Sequence, residues 1–205
     1  WTGFDYLGEP TPYKWPSRSS YFGIIDLAGF PKDVYYLYQS EWTTKPVLHL
    51  FPHWTWNKGD TVDVWAYYNN ADQVELFLNG KSLGSKSKTT DVLHVKWRVP
   101  YQPGLLKAVS TKNGKVILTK EIRTSGAPAT IQLIADRTKI KANGTDISFI
   151  TARLLDKDGN PVPDSDQLLE FSVTGTGFLA GTDNGFPAYS LSLKSPQRKT
   201  WKGLA

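Results

Sequence analysis

The opening thirteen residues, Trp1-Thr2-Gly3-Phe4-Asp5-Tyr6-Leu7-Gly8-Glu9-Pro10-Thr11-Pro12-Tyr13, are the stretch of this sequence best supplied for chemistry. Aromatic Trp1, Phe4, Tyr6 and Tyr13 interleave with the carboxylates Asp5 and Glu9. An aromatic ring offers an apolar face to a sugar ring, and a carboxylate accepts hydrogen bonds from its hydroxyls. The same residues equally suit a packed loop, with the rings as filler. Residue types alone leave both readings open.

Other chemistry is poorly supplied. His49 and His53 stand four apart, a zinc spacing on a helix. Here Pro52 lies between them and His49 sits in a strand-like run, so the pair does not share the required face. With no cysteine and only His94 besides, a metal site lacks ligands. Asp156, Asp158 and Asn160 alternate like the start of a calcium loop. That loop needs Gly sixth and a bidentate Glu twelfth. Here Gly159 comes fourth and Gln167 twelfth, so a hairpin turn is expected. No G-x-S-x-G elbow, phosphate loop or G-x-G-x-x-G fingerprint is present, and Gly175-Thr176-Gly177 reads as a turn. No cofactor is implied.

Composition bounds the elements that must position these residues. The 205 residues are 40% hydrophobic and 21% charged, which is globular material rather than a disordered tail. No apolar run approaches ~18 residues, so no membrane helix is expected, and no signal peptide opens the chain. Methionine is absent, and a chain starting at Trp1 reads as a piece of something longer. The net charge of +5 concentrates in residues 46–127, with 11 basic and 6 acidic groups. Lys81, Lys86, Lys88, Lys107, Lys112 and Lys115 sit beside Gly, Ser and Asn. That pattern suits lysines guarding strand edges and turns better than a nucleic-acid footprint.

Aromatics divide the chain too: seven of eight Trp and nine of ten Tyr fall within the first 101 residues. Residues 1–30 are punctuated by Gly and Pro yet carry Trp15, Tyr21, Phe22, Ile24 and Ile25, so they need a wall to pack on. Residues 31–42 read as a helix, with Pro31 at its first position and Val34, Leu37, Tyr38 and Trp42 as its apolar face. Beyond residue 47 the period becomes two. Val62, Val64 and Ala66, then Val74, Leu76 and Leu78, alternate with other types. Asn79-Gly80 and Asn113-Gly114 are type I′ hairpin signals. Strands are expected at 93–99, 105–111, 116–124, 130–136 and 147–155, and again around Leu169, Phe171 and Val173. Short strands with tight turns argue for antiparallel sandwiches.

Several blocks carry a family resemblance. Trp1 to Tyr13, Ser19-Ser20-Tyr21-Phe22-Gly23-Ile24-Ile25-Asp26, Gly29-Phe30-Pro31-Lys32-Asp33 and Tyr36-Leu37-Tyr38-Gln39-Ser40 resemble the end of the catalytic barrel in family 2 glycoside hydrolases of the bacterial β-galactosidase type. His49 to Trp56 and Val74 to Gly84 are similar to the β-sandwich that follows that barrel. Residues 128–205, with Leu179-Ala180-Gly181-Thr182-Asp183-Asn184-Gly185, resemble a bacterial immunoglobulin-like domain of the invasin type.

The resemblance implies a mainly β chain. Residues 1–45 form the carboxyl-terminal end of a (β/α)8 barrel, its last strand, loop and helix. Residues 46–127 form an accessory sandwich, and residues 128–205 an immunoglobulin-like sandwich truncated at its carboxyl end. It implies that Trp1 is the aromatic platform under the sugar, that Glu9 faces the galactose hydroxyls, and that Asp5 is a weaker substrate-binding candidate. All three belong where a barrel places its active site. Family members are retaining enzymes with two catalytic glutamates. Both are expected upstream, because the five glutamates here, Glu9, Glu41, Glu75, Glu121 and Glu170, match neither position. The chain alone is then inactive, and the parent acts on a β-galactoside or related oligosaccharide. Its partner is the rest of the barrel, with no nucleic acid and no membrane. Export to the periplasm or beyond is expected of the parent.

Two rivals stand beside this reading. Trp54, Trp56, Trp65, Trp97, Tyr67 and Tyr68 could form a stacking face of a carbohydrate-binding module, although alternate members must pack the core. A purely structural tandem sandwich is the other. Residues 1–45 alone are expected to be mobile, or to pack on a sandwich or a second chain.

Overall fold

In a computed structural model of the chain, which describes residues 2–10 and 12–205, the first two strands pair in parallel. They are β1 (Thr2–Phe4) and β2 (Gly23–Ile25), with Thr2 opposite Gly23 and Phe4 opposite Ile25. Parallel pairing needs a long connection. Residues 5–22 supply it as a folded-back finger in which Gly8 donates to the Arg18 carbonyl and Ser20 to that of Tyr6, at 2.8 and 2.9 Å. Gly23 allows the close approach, since a Cβ there would collide with the backbone of Phe4 and Asp5. This parallel pair and one helix are the barrel-like part of a mainly β chain.

The chain divides into two units, Pro31–Thr124 and one built jointly by residues up to Phe30 with Ser125–Ala205. The first opens with helix α1 (Asp33–Trp42), two residues shorter at its start than the expected 31–42. Pro31 and Lys32 precede it, Lys32 being the N-cap. Trp42, expected on the apolar face, is 79% exposed; it ends the helix and meets the edge of Tyr38, at 4.7 Å. The helix is instead fixed through Tyr36, whose ring stacks on His49 at 3.8 Å.

Seven antiparallel strands follow. They are β3 (Leu48–Phe51), β4 (Thr61–Tyr68), β5 (Gln73–Leu78), β6 (Lys81–Lys86), β7 (Val95–Pro100), β8 (Leu105–Lys112) and β9 (Lys115–Arg123). Three form one sheet in the order β3-β4-β7 and four the other, β6-β5-β8-β9. The period of two does the work here. Val62, Val64, Ala66 and Tyr68 of β4 face inward against Val74, Leu76 and Leu78 of β5, with Val95, Trp97, Val99, Leu106 and Ala108 completing the core. At ~25 cal/mol per Å2, each large apolar side chain enclosed this way contributes about 1.5–3 kcal/mol. The polar ends of the buried rings are satisfied. Trp54 donates to the Gln102 carbonyl at 2.9 Å, Trp97 to that of Gly84 at 3.1 Å, and the Tyr68 hydroxyl accepts the Lys88 N–H. Asn79 and Gly80, and Asn113 and Gly114, all take positive φ, which the two hairpin turns require. Lys81 and Lys86 lie on edge strand β6 and Lys115 on edge strand β9, whereas Lys107 covers the Phe77 ring and Lys88 pairs with Glu41 at 2.6 Å.

In the other unit, β10 (Thr130–Ala135) pairs with β11 (Ile150–Leu155), and β12 (Leu168–Glu170) with β13 (Gln197–Lys199), all antiparallel. Its core is small: Ala152, Leu154, Val162, Leu169 and Ala205, with Phe171 against them. Ile131 and Leu133 share the face of Leu154 and Ala152, yet both stay largely exposed. Side chain to backbone bonds hold the irregular stretches. Buried Arg198 donates to the carbonyls of Thr182 and Ser192, each at 2.8 Å, and stacks on Tyr189. Among the described residues no helix is long and apolar enough to cross a membrane.

Candidate functional site

The finger between β1 and β2 carries the residues singled out from sequence. Trp1 lies outside the described residues. Asp5 follows the carboxyl end of β1, where a barrel fold places its chemistry. It is buried, its Oδ1 accepts the Gly23 N–H at 2.9 Å, and its own N–H donates to the Ile25 carbonyl at 2.8 Å. Asp5 therefore ties β1 to β2 from within, and the finger springs from that tie.

Glu9 is exposed at the turn of the finger. Gly8 and Glu9 both adopt left-handed backbone, with φ of 92° and 45°. Gly accepts this freely, but a glutamate there costs about 1–2 kcal/mol. Cis Trp15-Pro16 lies further along, and Tyr13 packs on Tyr21 with ring centroids 3.9 Å apart. The Tyr6 hydroxyl donates to Oε2 of Glu9. That bond to the carboxylate, aided by slight burial and by the negative charge, pushes the Tyr6 phenol above its usual range. So Tyr6 stays protonated and holds the Glu9 carboxylate ready as an acceptor. Sequence reading missed this partnership. The signal was the i, i+3 spacing across a Gly-containing turn, which brings the two side chains to one side.

Leu7, Tyr13 and Trp15 leave much of their surface open on the same finger, as does Phe4 at the end of β1. Three buried serines, Ser17, Ser19 and Ser20, form its inner side, where Ser20 Oγ accepts the Tyr6 N–H at 3.1 Å. Small hydroxyl side chains let the two arms approach while satisfying buried backbone groups.

The histidines do other work. His49 in β3 receives Tyr36 on one face and sits 2.8 Å from Oδ1 of Asp33. His53 stacks with Trp56 at 4.7 Å. Asp156 makes the expected turn: Oδ1 accepts the N–H groups of Asp158 and Asn160 at 2.9 and 2.8 Å, and Leu155 bridges Pro161 across it.

Residues 131–205 match the family described as Glycoside hydrolase family 2 C-terminal domain 5, and residues 59–118 match Domain of unknown function (DUF4982). Over 203 residues the chain is 59% identical to "Beta-galactosidase BoGH2A" of Bacteroides ovatus, an alignment covering 99% of this chain and 24% of that protein. The fold superposes on the crystal structure of a beta-glycosidase from Bacteroides vulgatus with a TM-score of 0.93 at 41% identity, covering 100% of this chain and 26% of that one. A glycosyl hydrolase family 2 member from Bacteroides cellulosilyticus gives 0.91 at 33% identity, covering 100% and 31%. The chain is a carboxyl-terminal portion of a glycoside hydrolase family 2 protein. It spans between about a quarter and a third of the length of these relatives.

Proposed function

We propose that this chain serves a retaining, β-galactosidase-like glycoside hydrolase, in which Glu9 binds hydroxyls of the sugar in the cleaved position and Trp1 stacks beneath it. One observation carries the reading for Glu9: a non-glycine residue in left-handed backbone, exposed at the loop beyond a parallel strand, with its carboxylate held by Tyr6. Backbone strain of this kind clusters at functional sites. The 59% identity to a protein named a beta-galactosidase supports galactose as the sugar.

Within this reading Asp5 acts as a positioning residue through its bond to Gly23. The acid/base and nucleophile of the double displacement come from outside this chain. Glu41 is paired with Lys88 and Glu121 with Arg123, Glu75 accepts from Ser82, and Glu170 lies in β12. None of these four lies in the finger between β1 and β2, and the 205 residues alone are expected to be inactive.

The test is steady-state kinetics of E9Q in the full-length enzyme on 4-nitrophenyl β-galactoside. Losing charge-assisted hydrogen bonds of about 1.5–3 kcal/mol predicts a fall in kcat/KM of about 10- to 100-fold. In the same variant the Tyr6 phenol returns toward its ordinary titration range. Unchanged kcat/KM overturns the role of Glu9, and faster turnover of the matching glucuronide overturns the choice of sugar.

A further inference from the structure

Of the six aromatic residues that could have formed a stacking face on the seven-stranded sandwich, Trp54, Trp97 and Tyr68 are core. Trp56 is not. It lies just beyond β3, after Trp54 has already plugged the core, and keeps 38% of its surface open. Its indole is nevertheless held firmly. The ring N–H donates to the His53 carbonyl at 2.8 Å, and one ring face stacks on the His53 imidazole, 4.7 Å away and 10° from parallel. A large apolar ring that is fixed but left in water gives up burial energy without a return in folding.

Trp56 also lines a solvent-open cavity of about 390 Å3 with Pro52, Asp60, Thr61, Val62 and Asp63. That volume falls in the range of small-molecule sites, roughly 300–1,000 Å3. The polar groups converge on it from a fixed frame. Asp60 Oδ2 accepts the Asn57 N–H at 2.9 Å, and the Asp60 carbonyl accepts that of Tyr101. Thr61 and Asp63 stand on β4, two residues apart and so on one face of the strand. Asp63 forms ion pairs with Lys96 and Arg98, at 3.7 and 3.8 Å.

We propose that Trp56, Asp60, Thr61 and Asp63 form a second carbohydrate-binding subsite, which takes a neutral pyranose of an oligosaccharide by stacking it on the indole. The ring supplies the apolar platform. The carboxylates accept from sugar hydroxyls, and Thr61 donates or accepts. The lining carboxylates are hydrogen-bond acceptors, which suit sugar hydroxyls and not the carboxylate of a uronic acid, and the nearby cations Lys96 and Arg98 are engaged by Asp63.

Calorimetric titration of the 205-residue chain tests it, with cellotetraose and β-1,4-galactotetraose as neutral probes and tetragalacturonic acid as the acidic one. Saturable binding of a neutral probe is expected, weakened about tenfold or more in W56A. D63N should weaken the neutral probe and narrow the gap to the acidic one. Near-UV circular dichroism and the unfolding midpoint of each variant show that the sandwich is intact. The proposal is overturned if the folded chain binds neither neutral probe, if folded W56A binds as wild type does, or if the acidic probe binds equally well.

Discussion

Gly185 lies directly against the carboxylate of Asp26. Its φ is 72°, and a Cβ at this position would overlap the Asp26 side chain. Asp26 follows β2 and uses Oδ1 to accept the N–H groups of Ala28 and Phe30, at 3.0 and 2.9 Å. Nearby, the Arg18 N–H donates to the Pro187 carbonyl at 3.1 Å and its guanidinium to that of Tyr189. The parallel pair and the turn around residue 185 are thus fitted to each other within one unit.

Replacing Gly185 by alanine combines left-handed strain with a collision. We expect G185A to lose about 2–3 kcal/mol of stability, read as a lower urea midpoint. D26A in the same background should recover the steric part but not the backbone part. An unchanged midpoint in G185A would contradict the contact.

Asp156 controls the acid limit of the same unit. Bonds from the Gly126 N–H first, then from Asn160 and Asp158, outweigh its burial and hold its carboxyl at about 2, below the reference value of 3.8. The folded state therefore binds this proton more weakly than the unfolded chain. The stabilisation is present in full above about pH 4 and is lost as pH falls toward 2. NMR titration of the Asp156 carboxyl should give a midpoint near 2, and D156N should flatten this part of the pH–stability curve. A midpoint near 3.8 would refute the assignment.

Helix α1 begins without a side-chain cap, because the Lys32 side chain at the N-cap has no acceptor for the N–H groups of the first turn. Lys32 already has the extended backbone a cap requires, with φ of −80° and ψ of 164°. K32S should stabilise unit Pro31–Thr124 by about 0.5–1 kcal/mol and slow amide exchange in the first helical turn. Faster exchange there would show that the lysine contributes more than a cap would.

The seven-stranded sandwich was legible in sequence because two strong signals coincide there. Alternation assigns Val62, Val64 and Ala66 to one face, and Asn79-Gly80 and Asn113-Gly114 fix where the chain reverses. The strand expected around Leu169, Phe171 and Val173 instead stops at Glu170, where Phe171 turns to the Pro196 carbonyl. Nothing local to Val173 announces that. Trp42 misled because helical spacing does not say where a helix leaves its sheet. Buried Arg198 was invisible, since its acceptors at Thr182 and Ser192 are set by loop geometry. Of the candidate site, Glu9 was legible through a family motif, whereas its hold by Tyr6 depends on a left-handed turn at a residue type that rarely adopts one.

One unit is assembled from two separated stretches, with Pro31–Thr124 inserted between them in the sequence. On the ribosome the first stretch must wait while some 90 residues are made, about 5–20 s at ~5–20 residues per second. The inserted sandwich is continuous and can close in that interval. The finger carrying Tyr6 and Glu9 meanwhile lacks its contacts from Arg18 to Pro187 and Tyr189, so that part of its packing closes only after the inserted sandwich has been made.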